Sequence, residues 1–311
     1  MGSFDEIWDQ VAGASAKEKG DRFEELSKWF LENDPVYKHL FTAVYKWKEW
    51  PRRWSDADNG IDLIGEAFDG AIWAIQSKGY APSSQLRKSD IDSFLSEATR
   101  PLISNLLLIT SQTTVGPKVR SLLAETEKPA QWITAEDLRS REVVWPEKFT
   151  QLTPAVSPAK TPRPHQELAV NAITKGFSSG DRGQAIMACG TGKTFMSILA
   201  AEALDARTVL VLVPSIWLVS QTLSEWSKAW SENFSFLAVC SDNNAGRGSF
   251  SDGSSESLGV PSVTDPDSIE KFCRLTRSQK SVIFSTYQSS PAITEAIARI
   301  DGFQFDFAIA D

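Results

Sequence analysis

The sequence predicts an α/β protein of two domains, a first domain built around a β-hairpin followed by a parallel-sheet domain that carries a phosphate loop. Three observations lead there. The first is length with a break: 311 residues suit about two domains. Residues 146–164 hold five prolines, which neither a helix nor a central strand accommodates. The chain divides there into a domain over 1–145, a linker over 146–164 and a domain over 165–311. The second is an Asp69-Gly70 turn signal set between two apolar runs in the first part. The third is a regular alternation of apolar strand-like and helix-like runs in the second part.

The N-terminal part turns on Gly60 to Lys78. Asp62 lies seven residues before Asp69, and Gln76 lies seven residues after it. A simple hairpin therefore sets Asp62 and Gln76 opposite each other. Lys78, two residues past Gln76, points to the same face. A carboxylate, an amide and an ammonium then cluster on one face, unless a bulge shifts the register by one. The alternative is a set of solvated polar residues on an exposed sheet face.

Ahead of this hairpin, Lys46-Trp47-Lys48-Glu49-Trp50-Pro51-Arg52-Arg53-Trp54 interleaves cations with tryptophans. Lys46, Lys48, Arg52 and Arg53 suit phosphate contacts, and the indoles suit base stacking. Equally, the segment suits a strand edge whose tryptophans cover the core.

In the C-terminal part, strand-like runs cover 184–188, Thr208 to Val213, Phe236 to Val239, Ser281 to Ser285 and Phe305 to Ala310. Helix-like runs cover 166–177, 194–204, 216–230 and 289–299. Strands apolar throughout and separated by helices imply a parallel sheet covered on both faces. The run 184–188 leads into Cys189-Gly190-Thr191-Gly192-Lys193-Thr194. Glycines 190 and 192 let backbone N–H groups close around phosphate oxygens, and a helix N-terminus adds its dipole. Lys193 would reach the β- and γ-phosphates, and the Thr194 hydroxyl would hold Mg²⁺. The usual first Gly or Ala of such a loop is Met187 here.

Composition narrows the class. The 41% apolar content is globular, and no apolar run approaches the roughly 20 residues that span a membrane. The first residues lack a basic-then-apolar leader pattern. Cys189, Cys240 and Cys273 are scattered, which fits a reducing cytoplasm and offers no metal spacing. A cytoplasmic protein without membrane contact is expected. The net charge of −8 argues against a nonspecific polycation and leaves room for a local basic groove. Two isolated histidines, His39 and His165, make neither a metal site nor a nucleophile–base pair. The polar, Gly/Ser-rich stretch 241–266 is expected to be a surface loop.

Residues 163–311 resemble the first RecA-like motor domain of superfamily 2 helicases and translocases, on motifs that occur in order. Arg163-Pro164-His165-Gln166 looks like the segment ahead of the phosphate loop, which implies that Gln166 reads adenine. Gly190 to Thr194 match motif I. Val211-Leu212-Val213-Pro214-Ser215, followed by Gln221, resembles motif Ia on the nucleic-acid face. Ser285-Thr286-Tyr287-Gln288-Ser289 is similar to a strand-contacting element of restriction-type motors. The resemblance thus implies DNA contacts at Pro214, Ser215, Gln221, Thr286 and Gln288. Phe305 to Asp311 resembles the strand leading into motif II, whose Asp, here Asp311, holds Mg²⁺. The Glu and His that follow it in the family are absent, as are the arginine fingers of a second motor domain. The chain is therefore expected to be an N-terminal fragment with little ATPase activity as it stands.

Residues 17–140 resemble the PD-(D/E)XK nuclease superfamily in its Mrr-like variant, where Gln replaces the second acid. The pattern is Asp62…Gln76-Ser77-Lys78, and Lys19 to Phe30 looks like the family's first helix with Glu24 facing the site. Leu106 to Ser111 and Val119 to Leu123 look like the next strand and helix. The resemblance implies a Mg²⁺-dependent endonuclease with Glu24, Asp62, Gln76 and Lys78 as its catalytic set. The metal site would comprise Asp62, Gln76 and Ser77; since Gln76 supplies no charge, the ion would rest on Asp62, helped by Glu24 through water and by the Ser77 carbonyl.

The resemblances imply a restriction-endonuclease-like α/β/α domain followed by a RecA-like parallel-sheet motor, an order similar to that of the single-polypeptide Type I-like (ISP) restriction–modification enzymes. That order implies Mg²⁺ and ATP as cofactors and double-stranded DNA as partner. It also implies a second motor domain downstream, with methyltransferase and target-recognition domains after it. Two alternatives stay open: a stand-alone phage or defence helicase–nuclease, and a translocase whose nuclease fold is silent and only holds DNA.

Overall fold

The protein is described by a computed structural model over residues 2–56, 60–80, 84, 86–153, 160–241 and 259–311. Its contacts form two compact units, Met1–Ser157 and Pro158–Asp311.

The first unit opens with α1 (Phe4–Ala12) and α2 (Ala16–Asn33). Ser3 and Ser15 cap them, each accepting the amide three residues on, from Glu6 and Glu18. Then come α3 (Tyr37–Leu40), β1 (Phe41–Lys46), β2 (Leu63–Ala67), β3 (Ile72–Lys78), α4 (Asp92–Ala98) and β4 (Asn105–Thr110). They are followed by α5 (Pro117–Ala124), β5 (Ala130–Ile133) and α6 (Ala135–Ser140). The sheet order is β1-β2-β3-β4-β5. β1, β2 and β3 run antiparallel, and β4 and β5 continue parallel to β3.

The β2–β3 hairpin runs without a bulge from Glu66↔Ile72 to Leu63↔Ile75. One further step sets Asp62 opposite Gln76, as the hairpin reading expects. The turn closes through Ala67 N to Ala71 O (2.9 Å) and Gly70 N to Ala67 O (3.0 Å), while Asp69 Oδ1 accepts from Ala71 N (2.9 Å). Gly70 has φ +82°, which a side chain with a Cβ adopts only at a cost.

The two faces of this hairpin enter different layers. Ile72 and Ala74 join a cluster with Trp47, Trp50, Ile64, Phe94 and Leu106. On the other face, Phe41 meets Trp73 edge-on with centroids 5.4 Å apart and stacks on Tyr37, which in turn meets Phe30 of α2 edge-on. The helix closes onto the end of β3 because residue 79 is glycine; a Cβ there would lie 2.8 Å from the Phe23 Cβ.

The tryptophan-rich segment resolves toward the core. Trp47 and Trp50 are buried and Trp54 packs against them. Trp50 Nε1 donates to Glu66 Oε1 (2.8 Å) and Trp54 Nε1 to Glu97 Oε2 (2.7 Å). A base-stacking role for these indoles is thereby corrected: their faces are spent on packing. The first part of the proline-rich stretch is also tied down. Phe149 N donates to Gln10 Oε1 (3.1 Å), Gln10 Nε2 to the Glu147 carbonyl (2.9 Å), and Trp29 Nε1 to the Thr153 carbonyl (2.8 Å). Residues 154–159 of that stretch lie outside the described residues.

The second unit contains α7 (Pro164–Phe177), α8 (Lys193–Ala203), β6 (Thr208–Val213), α9 (Ile216–Ala229), β7 (Ser235–Val239) and β8 (Ser262–Val263). α10 (Pro266–Leu275), β9 (Ser281–Thr286), α11 (Ser290–Ala298) and β10 (Phe307–Ala310) complete it. The sheet is parallel throughout, in the order β10-β6-β9-β7-β8. The sequence did not announce β8 or α10. α10 buries only Ile269, Phe272 and Cys273 in an otherwise polar run. Much of the expected loop 241–266, namely 242–258, lies outside the described residues.

One expected strand does not form. Residues 184–188 are irregular, and Ile186 is 93% exposed. An apolar run becomes a strand only when its backbone finds a ladder partner. Among the described residues 184–188 has none, and the edge strand β10 pairs only with β6.

Candidate nuclease and nucleotide sites

The nuclease candidates gather at the open end of the β2–β3 hairpin. Asp62 N donates to Ile75 O (3.0 Å), and Asp62 O accepts from Trp47 N (2.8 Å), so its backbone is pinned on both sides. Its carboxylate Oδ2 accepts from Ser77 N at 2.7 Å. Gln76 is 2% exposed, and its Oε1 is buried without a hydrogen-bond partner. Such an orphaned acceptor is costly, and a cation would satisfy it. Oxygen donors from Asp62, Gln76 and the Ser77 carbonyl suit a hard divalent ion in chemistry. Among the described residues no set of three His, Cys, Asp or Glu side chains forms a metal cluster. Gln76, being an amide, is not one of those residue types. Lys78 is half-exposed and forms no ion pair among the described residues.

Glu24 reaches this end of the sheet from α2, on the layer opposite the Ile72–Ala74 face. Burial, and then the Asp62 carboxylate, raise its pKa from 4.5 to about 7, while Lys46 and Lys48 pull it down. Sequence reasoning assigned Lys46 and Lys48 to DNA alone and missed that they face Glu24. Tyr80 was also missed. Burial and the neighbouring Asp90 raise its phenol, with a smaller contribution from Asp62. Its spacing of two beyond Lys78 was the available signal.

The Glu24 shift has a stability consequence. The folded state keeps a proton that the unfolded chain releases between pH 4.5 and about 7. Stability of the metal-free protein therefore falls as pH rises through that window and levels off above it. In EDTA, Glu24→Gln should flatten this decline in urea midpoints measured below and above the window. An unchanged slope in that variant would refute the assignment.

In the second unit Gly190 (φ +75°) and Gly192 (φ +82°) take the left-handed backbone that the loop needs, and Gly192 is the N-cap of α8. Lys193 Nζ lies 3.7 Å from Asp311 Oδ1. Asp311 is seated by its own N–H to Leu212 O (3.0 Å) and by Tyr287 Oη donating to its carbonyl (2.9 Å). Thr191 Oγ1 donates to the Ala188 carbonyl at 2.7 Å. Thr194 is half-buried at the start of α8.

Gln166 departs from its expected place. It is 4% exposed; its Oε1 accepts from Arg163 N (2.9 Å) and its Nε2 donates to Thr191 O (3.0 Å). In this arrangement it links α7 to the phosphate loop, and an adenine contact requires that link to open.

The DNA-contact residues divide. Pro214, Ser215, Gln221 and Gln288 are exposed. The Ser215 hydroxyl is already used, accepting from Leu218 N as the cap of α9. Thr286 is buried with its hydroxyl bonded to that of Ser289 (3.1 Å), so its side chain serves the turn and not a ligand surface. Arg52 is paired with Glu66 (2.6 Å) and lies over the Trp50 ring, and Arg53 is paired with Asp56 (2.9 Å). Lys46 and Lys48 form no ion pair among the described residues.

Two family models match the chain. A restriction endonuclease model covers residues 32–154, and a model of the res subunit of Type III restriction enzymes covers 159–311. Fold and matches together define a restriction-type nuclease domain joined to a helicase-type motor domain. Glu24 lies ahead of the first matched span.

The particular proteins it resembles are Type ISP restriction–modification enzymes. The chain is 30% identical, with a TM-score of 0.78, to the structure of the ATP-dependent Type ISP enzyme LlaBIII bound to DNA, over 97% of this chain and 20% of that one. It is also 39% identical to a nuclease-deletion mutant of the Type ISP enzyme LlaGI in complex with a DNA substrate mimic, over 49% of this chain and 15% of that one, with a TM-score of 0.41. The chain thus spans 20% of the length of LlaBIII. Among curated proteins no match was found. No helix among the described residues is long and apolar enough to cross a membrane.

Proposed function

We propose that this chain is the nuclease and first motor portion of a single-polypeptide restriction–modification enzyme. In it, ATP-driven movement on double-stranded DNA is coupled to Mg²⁺-dependent cleavage. The observation that carries this reading is one polypeptide holding both Asp62, with its carboxylate on Ser77 N, beside Gln76, and Lys193 facing Asp311.

At the nuclease site Asp62, Gln76 Oε1 and the Ser77 carbonyl would hold Mg²⁺, which supplies Lewis-acid stabilisation at the scissile phosphate. Lys78 would orient the attacking water and offset the charge that develops in the transition state. Glu24 adds a carboxylate whose proton is held by burial until the site gains positive charge. At the motor site the Gly190–Thr194 backbone would cradle phosphate oxygens, and Lys193 would bind the terminal phosphates. Thr194 and Asp311 would hold the nucleotide's Mg²⁺. Cleavage by the full-length polypeptide should therefore need both ATP and Mg²⁺. Cutting that persists in EDTA would contradict the reading.

DNA contact should fall on the lysines of the 46–53 segment and not on its arginines. Each phosphate contact contributes about 0.9 to the slope of log affinity against log salt. Replacing Lys46 and Lys48 by Ala should flatten that slope by up to about two. Replacing Arg52 and Arg53 should leave it nearly unchanged, because both already neutralise carboxylates. The reverse pattern, measured on folded protein, would move the DNA path.

A further inference from the structure

The end of the catalytic strand is gripped from behind by buried polar side chains that neither site uses. The Lys78 carbonyl accepts from Ser111 N (3.2 Å), Thr110 Oγ1 (3.1 Å) and Tyr80 N (3.2 Å), with Ser111 Oγ at 3.5 Å. Ser111 Oγ donates at 2.7 Å to the Tyr80 carbonyl. Thr110 Oγ1 in turn accepts from Gln112 N (3.2 Å). Gln112 carries the grip outward: Leu86 N donates to its Oε1 (3.1 Å), and its Nε2 donates to Ser84 Oγ (3.1 Å). Thr110, Ser111 and Gln112 are 0%, 1% and 1% exposed.

Three consecutive buried polar side chains are expensive unless each is satisfied. The parallel ladder of β3 and β4 ends at Lys78↔Thr110, so strand pairing does not call for the hydroxyls. They converge on the carbonyls of Lys78 and Tyr80, one on each side of Gly79. The Lys78 carbonyl, fixed in this way, sets the direction of the Lys78 Cα–Cβ bond. The ammonium beyond it rides on a flexible four-carbon stem, so the backbone is its one fixed end.

We propose that Thr110 and Ser111 are positioning residues for Lys78, holding the backbone from which its ammonium reaches the scissile phosphate. This rests on the nuclease reading above. The consequence is specific to turnover. A displacement on the order of 1 Å of a catalytic group costs about a hundredfold in rate, while binding made elsewhere is untouched.

The test uses the full-length polypeptide with Thr110→Val, Ser111→Ala and the double variant, Thr110→Ser as the conservative control, and Lys78→Ala as the reference. The expected result is a fall in the cleavage kcat of about 10- to 100-fold in the double variant, without a change in KM for DNA or in DNA-stimulated ATPase. Thr110→Ser, which keeps the hydroxyl, should regain the rate. Should Thr110→Val fail to fold by thermal melting, Ser111→Ala carries the same comparison. Wild-type cleavage by the double variant, alongside an inactive Lys78→Ala, would overturn the positioning role and leave the nuclease reading standing. Parallel losses of cleavage, DNA affinity and ATPase would also overturn it, because a general structural defect moves all three. Full cleavage by Lys78→Ala would remove the nuclease reading, and the positioning role with it.

Discussion

Replacing Lys193 by Ala is expected to stop DNA-stimulated ATP hydrolysis and translocation by the full-length polypeptide. Lys193 is the side-chain cation of the phosphate loop, on the first turn of α8 and 3.7 Å from Asp311. Removing one preorganised electrostatic donor of this kind costs about 10²–10³ in rate. The fold should tolerate the change. The Lys193 and Asp311 side chains are 41% and 50% exposed, and exposed ion pairs contribute about 0–1 kcal/mol. Thermal melting should therefore be nearly unaltered while ATPase is lost. If the variant still cleaved DNA with full ATP dependence, the coupling of motor to nuclease would be wrong.

Asp62→Ala is expected to abolish DNA cleavage while ATPase persists. The carboxylate accepts from Ser77 N at 2.7 Å, so the alanine variant also loses a structural hydrogen bond to a charged group, worth about 1.5–3 kcal/mol. Asp62→Asn separates the two effects, since an amide oxygen keeps the acceptor and removes the charge that a divalent ion needs. Both variants should be inactive in cutting, with Asn the more stable. Lys78→Ala should lose about 10²–10³ in cleavage rate through missing charge stabilisation. Cleavage retained in Asp62→Asn would place the chemistry elsewhere.

Much of the architecture was legible in residue order. The Asp69-Gly70 turn between equal apolar runs implied the register that sets Asp62 across from Gln76, because strand periodicity and turn length are local properties. The alternation of apolar strands with helices implied the parallel second sheet, and β6 spans the expected Thr208 to Val213. The Gly-Thr-Gly-Lys-Thr run implied a glycine-shaped loop opening onto a helix N-terminus, and α8 does start there, with Gly190 and Gly192 in the left-handed region.

What periodicity could not supply is the partner of each polar or aromatic group. Trp50 and Arg52 suit nucleic acid until Glu66, on β2, claims both. The run 184–188 has a strand's composition, yet a strand is defined by its neighbour and none pairs with it among the described residues. Gln166 suits a base until Thr191 occupies its amide. Glu24 meets Asp62, Lys46 and Lys48 only because a helix seats itself against Gly79, and Thr110 grips Lys78 across 32 residues of chain. Local sequence sets the conformations a segment can adopt. Whether its side chains then face water, a ligand or one another is settled by packing between segments far apart in the chain.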